Sequence, residues 1–317
     1  MPPRPPLIIA HRGASGYLPE HTLEAKALAY GQGADYLEQD VVATRDGELV
    51  VLHDTYLDDV TDVAERFGGR QRDDGHYYVV DFELAELAQL RVFERRRPGR
   101  RQPLFPGRFP PGAGRFRIAT LADEIALVQG LNRSTGRQVG IYPELKDPAW
   151  HRRNGIDLSA LLLERLRTDG YRRREDPVFV QCFDAAELQR WRSELATPLR
   201  LVQLLDDSAA ARRRSTPEGL GEIAAYADAV GIPYPWLLAE DAAGGLRDAP
   251  LAADVRAAGL ELHAYTFRAD RPVPAGVGFD ALLAFMFTQV RVSAIFCDQP
   301  DVAVAARSRL DRPDKLA

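Results

Sequence analysis

Glu38 and Asp40 stand two residues apart in the run YLEQDVVA, so on an extended strand both carboxylates project from one face. Glu144 lies in IYPELKD near the end of another apolar run, with Lys146 two residues on and on the same face if that strand stays regular. Carboxylates brought together from separate strands repel each other unless something positive sits between them. A set of hard oxygen donors without cysteine suits one divalent cation, Ca2+ or Mg2+, better than Zn2+. His11 and His53 end the runs LIIAH and ELVVLH, and an imidazole with its pKa near neutrality suits proton transfer in either direction. Singly, each group has an ordinary explanation as a rim salt bridge or a hydrogen-bonded strand-end histidine. What sets them apart is that His11, Glu38, Asp40, His53, Glu144 and Lys146 all fall at or beside the carboxyl ends of apolar runs.

Those runs are the elements that must position the site. Strands are predicted near residues 7–11, 36–43, 139–145, 178–183, 199–205, 228–232, 261–267 and 294–298, with helical patterns at 20–31, 120–131, 157–168, 184–195, 218–227, 250–258 and 279–289. Eight strands alternating with helices point to a closed (β/α)8 TIM barrel, whose active sites sit at the carboxyl ends of the strands. At the first such end, Gly13 lets the chain turn off strand one and leaves room for a ligand, while Pro19 and Glu20 open the next helix.

A further run, ELVVLHD at 48–54, follows VVATRDG, and Asp46-Gly47 between apolar runs is a hairpin signal. A two-residue turn would set Arg45 opposite Glu48, Thr44 opposite Leu49 and Asp40 opposite His53; a one-residue bulge would shift that pairing and turn His53 to the other face. Residues 55–117 are too many for an ordinary βα connection and read as an insertion within a single 1–317 domain, with a short helical pattern at 83–92. Its part from 91 to 117 is rich in Arg, Pro and Gly, and is either a solvated loop or a basic lid that attracts anionic substrates.

The chain has 317 residues, 45% hydrophobic and 27% charged, enough for one α/β barrel. A net charge of -5 speaks against a nucleic-acid partner, which requires a cationic surface. Cys182 and Cys297 each lie inside an apolar run and read as buried thiols, not as a disulfide. No apolar stretch approaches the roughly 20 residues of a membrane helix, so no stable membrane insertion is expected. The start MPPRPPLIIA lacks a usable signal peptide, which gives a cytoplasmic location as the chain stands, or a periplasmic or secreted one if a signal was removed. Nothing in the sequence speaks to oligomeric state.

The set AHRGASGYLPEHT, YLEQDVVATRDGELVVLHD and IYPELK, with QCFD, HAYTF and FCDQPD further on, resembles the glycerophosphodiester phosphodiesterase family over essentially the whole chain. The long insertion and LFPGRFP resemble its longer bacterial members. The resemblance implies a barrel enzyme that hydrolyses small-molecule glycerophosphodiesters, such as glycerophosphocholine, to glycerol 3-phosphate and an alcohol. It also implies roles: His11 and His53 as the acid/base pair, Glu38, Asp40 and Glu144 as ligands of the cation, Arg12 and Lys146 on the phosphate, and Glu20 orienting a catalytic histidine. Many members have Asn after the Pro-Glu where this chain has His21, which the longer bacterial members often share.

The residue types suit that reaction. A phosphodiester repels nucleophiles and has a poor alkoxide leaving group, so it needs charge neutralisation and proton transfer together. The sequence leaves open which histidine is acid and which is base. Phe183, Tyr265, Phe267 and Trp236 are candidate walls for the glycerol or alcohol pocket, with Gln181 and His263 as polar wall groups; a choline headgroup would require an aromatic face. Two other readings compete. A related barrel phosphodiesterase acting on lipid headgroups would be expected to carry an amphipathic membrane-seating stretch, and none is evident. A non-catalytic binding barrel would not be expected to keep all six polar groups.

Overall fold

The structure is a computed structural model that describes residues 5–240, 245–273 and 276–310. Among these residues, eight parallel strands close into a barrel in the order β1 (Leu7–Ala10), β2 (Tyr36–Ala43), β4 (Gly140–Leu145), β5 (Phe179–Cys182), β6 (Arg200–Leu204), β7 (Ala229–Pro233), β10 (Glu261–Phe267) and β11 (Ala294–Cys297), which pairs back onto β1. All eight coincide with the predicted runs, and helices occupy the connections. Outside the ring, β3 (Leu49–Val51) runs antiparallel to β2, and β8 (Leu238–Glu240) pairs with β9 (Leu246–Asp248) in a small hairpin that the sequence reading did not anticipate. No helix among the described residues is long and apolar enough to cross a membrane.

Alternation along β2 shows how the sequence builds the layers. Leu37, Val41 and Ala43 face outward into the core shared with the helices. On the inner face, Tyr36 joins Ile9, Tyr142, Phe179 and Phe296 in a plug that fills the barrel. Glu38 and Asp40 come next above the plug, and Val42 lies higher still, packed under the insertion with Val50, Leu52, Leu57, Val79 and Phe82. Plug packing is tight at Gly140, where a Cβ would stand 2.2 Å from a ring carbon of Tyr36. Residues 55–117 thus carry an apolar core of their own against the β2–β3 hairpin.

The hairpin register differs from expectation. Val41 pairs with Val51 and Ala43 with Leu49, and Thr44 N donates to Glu48 O at 3.0 Å, so Arg45, Asp46 and Gly47 form a three-residue loop with Gly47 at φ 81°. Gly47 supplies the positive φ of such a loop, and the extra residue brings Leu52, not His53, opposite Asp40. His53 still reaches the site because β3 ends at Val51 and the chain bends away from the ladder before it.

The entry to the first helix also departs from expectation. Thr22 caps the helix Leu23–Gly31 by accepting from Ala25 N, so Glu20 lies ahead of the helix. At Gly13, φ is 85° and a Cβ would meet the Ala25 backbone at 2.9 Å; the space belongs to that helix, not to a ligand.

Candidate active site

His11 and Asp298 follow β1 and β11 at their carboxyl ends, each continuing the inward alternation of Ile9 and Phe296. His11 Nδ1 lies 2.6 Å from Asp298 Oδ1. His53 Nδ1 lies 2.7 Å from the carboxylate of its neighbour Asp54. Each aspartate, held ionised, accepts from Nδ1–H, which leaves Nε2 as the ring nitrogen outside that bond. Burial, and then the charge of Arg12, lower both imidazoles to about 4, with Lys146 adding to the effect at His53.

The aspartates are themselves gripped from outside. Arg108 Nη2 and Arg268 Nε donate to Asp298 Oδ2 at 2.6 and 2.9 Å, and Arg95 Nη1 donates to Asp54 Oδ2 at 2.6 Å. Glu20 hydrogen-bonds Arg12 and Arg95, not a histidine; it reaches His53 only through Arg95 and Asp54. The carboxylates that hydrogen-bond the two histidines are Asp54 and Asp298. Both had a signal in the sequence: one follows His53 directly, and the other extends the alternation of the last strand.

Glu38, Asp40 and Glu144 meet on the β2–β4 pair, where Asp40 stands in register with Glu144. All three are buried. Lys146 Nζ bridges two of them, 2.7 Å from Glu144 Oε1 and 3.6 Å from Asp40 Oδ1. Arg12 N donates to Glu38 Oε2 at 2.6 Å, and Arg12 Nε lies 3.3 Å from Asp40 Oδ2. Burial and the neighbouring Asp40 charge raise Glu38 well above the usual carboxylate range, and burial brings Glu144 up to about 7. Burial would raise Asp40 too, but Lys146 and His21 hold it well below that range.

His21 enters this cluster unforeseen. Its Nε2 lies 2.7 Å from Asp40 Oδ2, and one atom each of His21, Glu38 and Asp40 fall within 4.8 Å of one another. Behind it is Lys26, fully buried, which pairs with Glu124 at 2.8 Å, donates to Glu38 O and stands 3.5 Å from His21 Nδ1. A lysine donating to Nδ1 leaves the proton on Nε2, so His21 donates to Asp40. The buried carboxylates suit a divalent cation in chemistry, and Asp40 Oδ1 takes no hydrogen bond, but the group close enough to share one ion is His21, Glu38 and Asp40, without Glu144.

An inner cavity of about 120 Å3 is lined by His11, Arg12, Glu38, Asp40, His53, Glu144 and Lys146, together with Gln181, Tyr265 and Arg268. A larger cavity of about 460 Å3 adjoins it and shares His53, Glu144, Lys146 and Phe183. Of the other wall candidates, His263 is buried in the plug against the Tyr142 hydroxyl, Phe267 is buried and stacked on Tyr234, and Trp236 lies under Arg212.

The profile of the glycerophosphoryl diester phosphodiesterase family matches residues 11–302. A glycerophosphodiester phosphodiesterase of Haemophilus influenzae is 40% identical, covering 94% of this chain and 88% of its own length. One from Treponema pallidum is 37% identical, covering 94% and 90%. Among solved structures, a glycerophosphodiester phosphodiesterase from Agrobacterium tumefaciens superposes with a TM-score of 0.61 at 25% identity over 95% of this chain and 99% of that one. An Oleispira antarctica phosphodiesterase solved with sn-glycerol-3-phosphate shares the fold, with a TM-score of 0.64 at 22% identity over 96% and 97%. With its barrel, its paired histidines and its carboxylate cluster on one rim, the chain belongs to the glycerophosphoryl diester phosphodiesterase family.

Proposed function

We propose that this chain hydrolyses glycerophosphodiesters to glycerol 3-phosphate and an alcohol, with His11 and His53 as its proton-transfer groups. The carrying observation is that two histidines, each tied to an aspartate through Nδ1, line one cavity with three buried carboxylates. Glu38, Asp40 and Glu144 would hold a divalent cation, which when bound neutralises charge on the phosphoryl oxygens. His21 steadies Asp40 from behind. Arg12 and Lys146 bind the phosphate in the inner cavity, and Arg268 joins them from its rim.

The two cavities support a division of the substrate and, with it, of roles between the histidines. His11 borders only the inner space, whereas His53 borders both. With glycerol inside and the alcohol outside, His11 Nε2 takes the proton of the neighbouring glycerol hydroxyl as that oxygen bonds to phosphorus. Protonated His53 gives its proton to the departing alkoxide as the phosphorus–oxygen bond breaks, and a cyclic phosphate results. Water then enters from the side the alcohol has left, His53 takes its proton, and His11 returns the first proton to the glycerol oxygen as the ring opens. The anionic phosphate bound beside His53 favours its protonated form.

The deciding experiment measures glycerol 3-phosphate release from glycerophosphocholine with and without chelator, then with Ca2+ or Mg2+ restored separately. Release that chelation abolishes and one ion restores is the expected result. Release indifferent to chelation overturns the cation's part, and no release from any glycerophosphodiester overturns the whole reading. A preference for lysophosphatidylcholine would assign the site to lipid headgroups instead.

A further inference from the structure

We propose that the outer cavity is the subsite for the departing alcohol and that it selects alcohols bearing a positive charge, quaternary or primary ammonium headgroups. The inference rests on the reading above and adds the substrate class. The cavity of about 460 Å3 opens directly from His53, the group assigned to protonate the leaving oxygen, so whatever leaves must occupy it. Three rings line it: Tyr56 from the insertion, Trp150 from the helix Pro148–Arg153, and Phe183 after β5.

The rings are held in place by a frame outside the cavity. Trp150 packs at a tilt on Tyr78, ring centroids 5.2 Å apart, with Arg72 over both rings at 5.8 and 4.6 Å. Tyr56 lies 4.5 Å from the His76 ring. Phe183 lines the cavity while 39% exposed, and its ring lies 6.0 Å from Lys146 Nζ, marking where the phosphate end gives way to the headgroup end. Beyond the groups shared with the inner cavity, the charged lining is Asp54, Asp147 and Asp184 against Arg153 alone. Asp54 is matched by Arg95, whereas the Asp147 carboxylate, exposed at the helix entrance, has no side-chain capping bond to occupy it. An aromatic-walled cavity with surplus negative charge is the chemistry that recognises an ammonium group, and one ring over such a cation is worth about 2- to 30-fold in affinity.

The test compares glycerophosphocholine and glycerophosphoethanolamine with the uncharged-headgroup diesters glycerophosphoglycerol and glycerophosphoinositol, in the metal-loaded enzyme and in Trp150→Leu, Phe183→Leu and Asp147→Asn. The wild type is expected to show KM values at least ~5-fold lower for the cationic pair. Each variant should shrink that ratio toward one, and tetramethylammonium should compete with glycerophosphocholine more weakly in Trp150→Leu than in the wild type. A wild-type ratio near one, or variants that weaken charged and uncharged substrates alike, overturns the subsite. Failure to turn over any diester overturns the proposed reaction instead. Asp147→Asn, an exposed and nearly isosteric change, keeps the test decisive if the ring variants do not fold.

Discussion

Arg95 Nη1 donates to the oxygen of Asp54 that faces away from His53, at 2.6 Å. Arg108 repeats the relationship at the other pair: Asp298 Oδ1 takes His11 and Oδ2 takes Arg108 Nη2, also at 2.6 Å. Both arginines come from the 55–117 insertion, and their side chains are only 11% and 5% exposed. Residues 55–117 therefore set these two buried arginines on the carboxylates that hydrogen-bond the histidines. Arg97, Arg100 and Arg101 stay at the surface.

If these arginines are positioning residues, Arg95→Met and Arg108→Met should lower kcat by up to about 100-fold, the loss expected when a reacting group is displaced by an ångström. KM should change far less. Arg95→Met also leaves Glu20 and Asp54 without a common partner, at a cost of about 3–5 kcal/mol of stability, whereas Arg95→Lys keeps the charge and should recover part of both losses. Steady-state kinetics beside thermal unfolding checks this; full kcat in folded Arg95→Met and Arg108→Met removes the positioning role.

The assignment of His53 as acid and His11 as base is read with a glycerophosphate ester of an acidic phenol, whose leaving oxygen needs no proton. On an alkyl diester, His11→Ala and His53→Ala should each cost roughly 10²- to 10⁴-fold. On the phenyl ester, the pre-steady-state phenol burst of His53→Ala should come within about 10-fold of wild type while His11→Ala stays crippled. The opposite pattern exchanges the roles.

The depressed imidazoles give the cation-free protein a defined pH response. His11 and His53 titrate at about 4 when folded against 6.5 in the unfolded chain, so between these values the unfolded state binds more protons. Stability is then fully present above 6.5 and falls as pH drops toward 4. Asp54, held near 2, adds a loss at still lower pH, below its unfolded value of 3.8. Denaturant unfolding of the chelated protein at stepped pH should show the decline, with a shallower slope in His11→Gln and His53→Gln. Unchanged slopes in both variants would contradict the shifts.

Much of this architecture was legible in local patterns. Apolar runs broken by helical stretches located all eight barrel strands, because a strand buried on both faces is apolar for most of its length. Alternation along those runs set Glu38 with Asp40 and carried His11 and Glu144 to strand ends, since face and polarity depend on neighbours one or two residues away. The hairpin shows where such counting stops: one residue in the loop moves every pair, and Asp-Gly served a three-residue loop as readily as a two-residue one.

Tertiary structure alone decided the partners. Asp298 meets His11 from the far end of the chain because β11 closes the ring on β1. Nothing in an arginine-rich stretch distinguishes Arg95 and Arg108 from their exposed neighbours until the insertion folds over the rim. His21 gains its place through Lys26, which stays buried because Glu124 from a distant helix and the Glu38 carbonyl surround it. The sequence by itself determined that His11, Glu38, Asp40, His53, Glu144 and Lys146 arrive at the rim; which groups join and touch them was decided by barrel closure and the packing of residues 55–117, because hydrogen bonds of 2.6–2.8 Å between distant segments need the whole fold to set their geometry.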